Sequence, residues 1–296
     1  MELWRCTFYV AFLLLSLQVV YGRHPPSMRP DPSQQMKHFS ADPVSIVCLL
    51  EHCSKSSFEC GLNSDCRNAI ACAEKCWGNW DNDTTPEKFH VQNCTEKCAL
   101  TYDSKEYDSF MTCITDNKCM SFPPIPNTCR GKNVHPLKSL SVKDIQGEWW
   151  ALRGYHPVYD CFPCQHLSFE PMSMNTWNYT TRYQAYLTDG SLKFVIQHMV
   201  MPNSPPGTNI TFVYHDKGVE TTQIWWLIDK ADNGSYVLMY YCGYALQWNY
   251  EGALVLAQNR TLSEDVYANI RATYQKSVGL DFNSFCDINT STSCPD

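Results

Sequence analysis

Beyond residue 22 the chain has no apolar run of membrane-spanning length, which excludes an integral anchor in the body of the sequence. Basic residues are outnumbered, 23 Lys and Arg against 30 Asp and Glu, for a formal net charge of −7. That balance argues against nucleic acid or an anionic membrane as the main partner. Histidine is scarce where cysteine is dense: the stretch from Cys48 to Cys119 holds ten cysteines but only His52 and His90, which make no zinc-ligand pattern. Large apolar residues are also few there, so that segment cannot be held by a core alone.

The amino terminus reads as a secretory signal peptide over 1–22: Arg5, an apolar run from Phe8 to Val20, then small residues around Gly22. Residues 23–43 are rich in Pro and Ser and are expected to be disordered. Seven N-x-S/T sequons follow, at Asn82, Asn93, Asn178, Asn209, Asn233, Asn259 and Asn289, and imply a glycosylated chain with these residues in exposed loops. Cys6 leaves with the signal peptide, so 16 of the 17 cysteines remain, an even number. In an oxidising compartment they are expected to be disulfides, with no metal bound.

Cysteine density divides the chain. Residues 44–120 are expected to form a small α domain stapled by bridges, 121–143 a linker, and 144–296 a second domain that has only three cysteines between 146 and 260. Cys72-x3-Cys76 and Cys94-x3-Cys98 each put two thiols one helical turn apart. Two antiparallel helices would then pair Cys72–Cys98 and Cys76–Cys94. The same nesting suggests Cys48–Cys66 around Cys53–Cys60, with Cys113–Cys119 closing a small loop.

After residue 146 the period changes to that of strands. Short runs rich in Trp, Tyr, Val and Thr, separated by turn signals such as Thr188-Asp189-Gly190, imply an antiparallel barrel of seven or eight strands. A C-terminal helix follows. Ser263 stands at its cap, Glu264 and Asp265 in its first turn, Gly279 at its end, and Val266, Ile270, Tyr274 and Val278 form a stripe to pack on the barrel wall. Asp160 and the pair Cys161-x-x-Cys164 sit at one end of the first strand. A redox pair prefers a helix N-terminus that lowers a thiol pKa, and strands flank this one, so a structural staple is favoured.

Gly147-Glu148-Trp149 resembles the G-x-W signature of lipocalins, and an eight-stranded barrel has room for one elongated apolar ligand. GEWWALRGYHPVYDCFPCQ, HDKGVETTQIWWLI, YVLMYYCGYALQW, EGALV and KSVGLDFNSF (276–285) resemble the violaxanthin de-epoxidase family over about 44–296. The resemblance implies a cysteine-rich domain followed by a lipocalin-like eight-stranded barrel with a C-terminal helix. It also implies an ascorbate-dependent oxidoreductase of the plastid lumen that removes epoxide oxygen from xanthophylls and is activated by acid. By the family pattern Cys164 pairs with Cys294. Cys161, Cys129, Cys242 and Cys286 are additions to it, and Cys161–Cys242 with Cys129–Cys286 is the expected arrangement.

The family's chemistry is matched in part. Asp160 and Tyr241 match a catalytic acid and a catalytic tyrosine, but Pro163, Gln223 and Leu256 replace an acid, a second catalytic acid and a further tyrosine. Glutamine cannot protonate an epoxide oxygen. The family's Glu-rich C-terminal region has no counterpart before Asp296. The first reading is therefore a secreted barrel that binds a carotenoid, sterol or other isoprenoid. Its ligand contacts would come from Trp149, Gln165, Gln223, Trp225, Tyr240 and Trp248, with Trp150 and Trp226 adding to the aromatic lining. The alternative is a de-epoxidase with ascorbate as co-substrate, or an epoxy-isoprenoid isomerase, using Asp160 and Tyr241. It carries with it a bipartite signal to a plastid lumen in place of secretion.

Overall fold

Short helices begin the described part of the chain, because Ser and Asn stand where their first turns need acceptors. Ser45 accepts from the Cys48 N–H at 3.3 Å, Asn63 from Cys66 at 2.9 Å and Ser104 from Tyr107 at 3.2 Å. The computed structural model describes residues 45–77, 85–120, 129–245, 248–291 and 294. The signal peptide, the segment expected to be disordered and Asn82 lie outside them. The helices are α1 (Ile46–His52), α2 (Ser54–Leu62), α3 (Ser64–Trp77), α4 (Thr85–Thr101) and α5 (Lys105–Asp116).

Disulfides bind these helices into a unit, each contributing roughly 2–4 kcal/mol by restricting the unfolded chain. Cys72–Cys98 and Cys76–Cys94 join α3 to α4, the same partners that the spacing indicates. The remaining pairs differ from expectation. Cys48 bonds Cys119 and Cys53 bonds Cys113, leaving Cys60 to close on Cys66 across six residues. The nest Cys48–Cys66 with Cys53–Cys60, and the loop Cys113–Cys119, are not formed. Helix α5 packs against α2 and sets Cys113 against Cys53, while Cys119, just past its end, meets Cys48 of α1.

Eight strands follow: β1 (Gly147–Gly154), β2 (His166–Pro171), β3 (Thr176–Tyr186), β4 (Leu192–Pro202), β5 (Ile210–Asp216), β6 (Val219–Lys230), β7 (Tyr236–Ala245) and β8 (Trp248–Ala257). They form an antiparallel meander in the order β4-β3-β2-β1-β8-β7-β6-β5, nearly closed, with β4 and β5 as the unpaired edges. A two-residue strand β9 (Cys286–Asp287) adds to β1. Positive φ marks the hairpin turns at Gly190 and at Lys217-Gly218, where the last two adopt the backbone of a type I′ turn.

Period-2 alternation sends one set of side chains inward. Trp149, Phe169, Tyr179, Phe212, Trp225 and Tyr241 belong to the lumen cluster. The neighbouring set lies under helix α6 (Glu264–Ser277), where Ile270, Tyr274 and Val278 pack on the outer wall. Tyr274 donates to the carbonyls of Leu254 at 2.7 Å and Met239 at 3.1 Å. Ser263 occupies the N-cap without a side-chain bond, and Gly279, with φ 74°, ends the helix. Leu140, Val142 and Ile145 join the lumen cluster at the floor, where the Trp149 indole donates to Ile145 O at 2.7 Å. The later half of the segment expected to be linker is thus part of the barrel's packing.

The barrel-side cysteines pair as Cys164–Cys294, Cys161–Cys286 and Cys129–Cys242. The first is the pair that the family resemblance implies. The other two replace the expected Cys161–Cys242 and Cys129–Cys286. Strand β9 sets Cys286 opposite Gly154, beside the 155–165 loop, while Cys242 points outward from β7 and meets the segment leading into the barrel. Of the described sequons, Asn209, Asn233, Asn259 and Asn289 are exposed in loops, whereas Asn93 is exposed but within helix α4 and Asn178 lies half-buried within β3. No helix among the described residues is long and apolar enough to cross a membrane.

Candidate functional site

Strand β1 ends at Gly154, where a side chain would run into the Asp160 backbone. The chain there turns tightly: Asp160 N–H donates to His156 O at 2.9 Å, and the Asp160 carboxylate reaches back to accept from His156 N–H at 2.8 Å. The same oxygen accepts from Ala253 N–H of β8 at 3.0 Å. Its other oxygen accepts from the Tyr241 hydroxyl at 2.5 Å. Asp160 is 1 % exposed. Burial pushes its pKa up to about 7, against the opposing pull of the Tyr241 hydroxyl and of the backbone N–H donors. Burial, and then the Asp160 charge, hold the Tyr241 phenol well above its ordinary range.

Two glycines make room for this pair. Tyr241 stands opposite Gly252 and Tyr250 opposite Gly243 across β7 and β8, and a side chain on either glycine would collide with the facing ring. The bare backbone lets both phenols lie flat across the lumen wall. Gln223 lies two residues nearer the open end on β6 than Trp225 and is fully engaged. Its amide donates to Tyr214 and Tyr250, each at 3.1 Å, and its oxygen accepts the Trp225 indole N–H at 2.7 Å. This residue ties three aromatic side chains together. Leu256 is buried in the lumen cluster, an apolar surface where a phenol would stand in the resembled family.

Rings fill the middle of the lumen. Trp225 meets Tyr179 at 4.9 Å and Phe212 at 5.4 Å between centroids, and Phe169 stacks on Tyr179 at 5.1 Å. Gln165 is buried on the same face as Leu167, and its side-chain oxygen has no partner among the described residues.

Other expected contacts are not in the lumen. Tyr240 faces the opposite way from Tyr241, under α6, donating to Glu251 at 2.6 Å and accepting Arg130 N–H at 3.1 Å. Trp226 packs against Tyr240, and Trp150 lies outside beneath the Arg260 guanidinium at 3.9 Å. Adjacent strand residues point to opposite faces, so only one member of each aromatic pair enters the lumen. Of Trp248 the backbone is described, in β8, and the side chain is not.

The helical segment covers the open end, a contact that composition did not reveal. Leu100 of α4 packs with Tyr183, Ala185 and Val195 at the barrel rim, and Phe89 meets the His156 ring edge-on at 5.0 Å. Lys193 bonds Leu100 O at 3.0 Å and Asp103 at 2.9 Å, and Lys217 bonds Asp103 at 2.8 Å. Glu96 and Asp216 share this end, and burial pushes both carboxyls up. A cavity of about 190 Å³ remains between α4 and the 157–163 loop, with Glu96, Lys97 and Phe162 in its wall.

A meander closed through β1 and β8, floored by a G-x-W strand and flanked by one outer helix, defines a lipocalin-type barrel, here with a disulfide-stapled helical cover. Residues 45–290 match the family model described as the VDE lipocalin domain, and the chain belongs to that violaxanthin de-epoxidase family. It is 28 % identical over 269 residues to the chloroplastic violaxanthin de-epoxidase of Spinacia oleracea, covering 84 % of this chain and 52 % of that protein. With the Arabidopsis thaliana enzyme it is 24 % identical over 278 residues, 86 % of this chain and 55 % of the other. The chain spans about half the length of the curated relatives it matches. Among solved structures, lobster apocrustacyanin A1 is similar at 18 % identity and a TM-score of 0.41, covering 58 % of this chain and 96 % of that one.

Proposed function

We propose that the barrel binds a carotenoid or other isoprenoid, with one end of the ligand brought against Asp160 and Tyr241. The observation that supports this most is that short, buried carboxylate–phenol bond on an otherwise apolar and aromatic wall. An apolar lumen with a few convergent polar groups suits a long hydrocarbon carrying an oxygen function at its end. Trp149, Trp225 and Gln165 are ligand contacts in this reading, and the ring stack around Trp225 turns aside as the ligand enters. Gln223 holds the wall that the ligand rests on. The chain is a secreted glycoprotein here, and the chloroplastic relatives keep the plastid lumen as the alternative.

A second reading, de-epoxidation or isomerisation of an epoxy-isoprenoid, is favoured by one feature of the same pair. Asp160 is held neutral below about pH 7, and a neutral Asp160 can donate to the Tyr241 oxygen while Tyr241 turns its own proton to the ligand. In reductive removal the ring oxygen would take two protons and leave as water, with two electrons from ascorbate as co-substrate. No bound cofactor is required.

Glycosylated protein from a secretory host tests both, given violaxanthin-type epoxides in lipid, with and without ascorbate, from about pH 5 to about pH 7.5. Pigment that co-elutes with the protein unchanged is the result expected of a carrier. Ascorbate-dependent loss of epoxide, abolished in Asp160→Asn, establishes the enzyme instead. Neither co-elution nor conversion contradicts both.

A further inference from the structure

We propose that Asp116, His215 and Glu220 form a binding site for a divalent cation of the zinc class, at the joint between helix α5 and the β5–β6 hairpin. His215 and Glu220 are directly opposed across β5 and β6, and the Lys217-Gly218 turn fixes that register. Helix α5 is fastened to the same hairpin. Gly218 lies so close to the Asp108 carbonyl and Met111 that no side chain fits there. The Thr115 hydroxyl donates to Gly218 O at 3.4 Å, and Asp103, just ahead of α5, holds Lys217. Asp116, the last residue of α5, therefore falls beside the cross-strand pair, with its carboxylate 3.7 Å from His215 Nε2.

One ligand atom from each of the three side chains lies within 4.8 Å of the others. A tetrahedral zinc site needs ligand atoms about 2.0–2.2 Å from the ion. All three side chains are exposed, so small rotations draw them in without disturbing the core. One imidazole and two carboxylates suit zinc or a similar first-row ion better than calcium or magnesium, which prefer oxygen ligands alone. The two carboxylates would neutralise the ion's charge, leaving a fourth position for water. Because the ligands come from both the helical cover and the barrel, the ion would fasten one to the other. The site stands apart from the lumen and does not depend on what the lumen binds.

The test uses the full chain in metal-free buffer, titrated with zinc chloride by calorimetry, with cobalt(II) as a spectroscopic probe of coordination. One ion per chain is expected, with visible cobalt bands of a low-coordinate N/O site. A thermal midpoint about 5 °C or more higher is expected at about one hundred times the dissociation constant. His215→Gln, Asp116→Asn and Glu220→Gln should each weaken binding about tenfold or more while leaving the metal-free circular dichroism and midpoint unchanged. No saturable binding by about 1 mM zinc, or binding untouched by His215→Gln, overturns the proposal. Loss in His215→Gln with none in the two carboxylate variants overturns it as well, because it marks a lone surface histidine.

Discussion

Replacing Asp160 by Asn should remove a pH dependence from the protein's stability rather than remove stability itself. The buried carboxyl has its pKa raised from 3.8 to about 7 in the folded chain. Between those values the folded state holds a proton that the unfolded state has released. The neutral form's contribution is therefore fully present below about pH 4 and is lost as pH rises through about 7. A displacement of about three units corresponds to roughly 4 kcal/mol between the two limits. Asparagine fits the same bonds: its oxygen accepts the N–H groups of His156 and Ala253, and its amide donates to the Tyr241 oxygen. Asp160→Asn is thus expected to match the natural chain near pH 4 and to exceed it by about 2–4 kcal/mol at pH 8. Urea unfolding with disulfides intact, at several pH values, measures this. Only the difference between the two chains counts, since Glu96 and Asp216 are shifted in the same direction in both. Parallel pH profiles, or an Asn variant about 2 kcal/mol weaker at pH 8, would refute the reasoning.

Tyr241→Phe deletes a donor that lowers the Asp160 pKa, so that carboxyl should titrate still higher, as carbon-13 NMR of labelled aspartate would record. Gly252→Ala should cost about 1–3 kcal/mol in chemical denaturation and lengthen the Tyr241–Asp160 bond, because the new methyl meets the Tyr241 ring. Peptide mapping of unreduced protein should recover Cys161 with Cys286 and Cys129 with Cys242. Fragments joining Cys161 to Cys242 would contradict the path of β9.

The barrel and its outer helix were legible in the sequence because their patterns are strong: turn residues between aromatic, β-branched runs, then a stripe at spacing four. Which tyrosine of Tyr240-Tyr241 faces the lumen was not. Strand β7 is covered on one face by the lumen contents and on the other by α6, so it is buried along most of its length and shows no alternation. Trp149-Trp150 on β1 hides its parity in the same way, whereas β6 alternates in burial but carries apolar Ile224 and Trp226 on its outer face, so its residue types do not show which Trp points inward. Pairings between cysteines one helical turn apart could be read, since a helix fixes which thiols share a face. Those of Cys48, Cys53, Cys113 and Cys119 depend on how α5 packs against α2, and β9 is too short to carry a pattern. Asp160 and Tyr241 stood out only through the family motif. Their bond relies on glycines at 154 and 252, whose importance shows only once the neighbouring strands are in register. The helical cover over the rim has no local signature at all.

The most direct test of a ligand-holding lumen is a titration of the purified chain with a violaxanthin-type carotenoid, followed by tryptophan fluorescence. Beside it go Trp225→Ala and, as a control on the outer wall, Trp226→Phe. Saturable quenching at one ligand per chain is expected, weakened about tenfold or more in Trp225→Ala and unchanged in Trp226→Phe. Quenching that never saturates, or that falls equally in both variants, would place the pigment on the surface and contradict a lumen site.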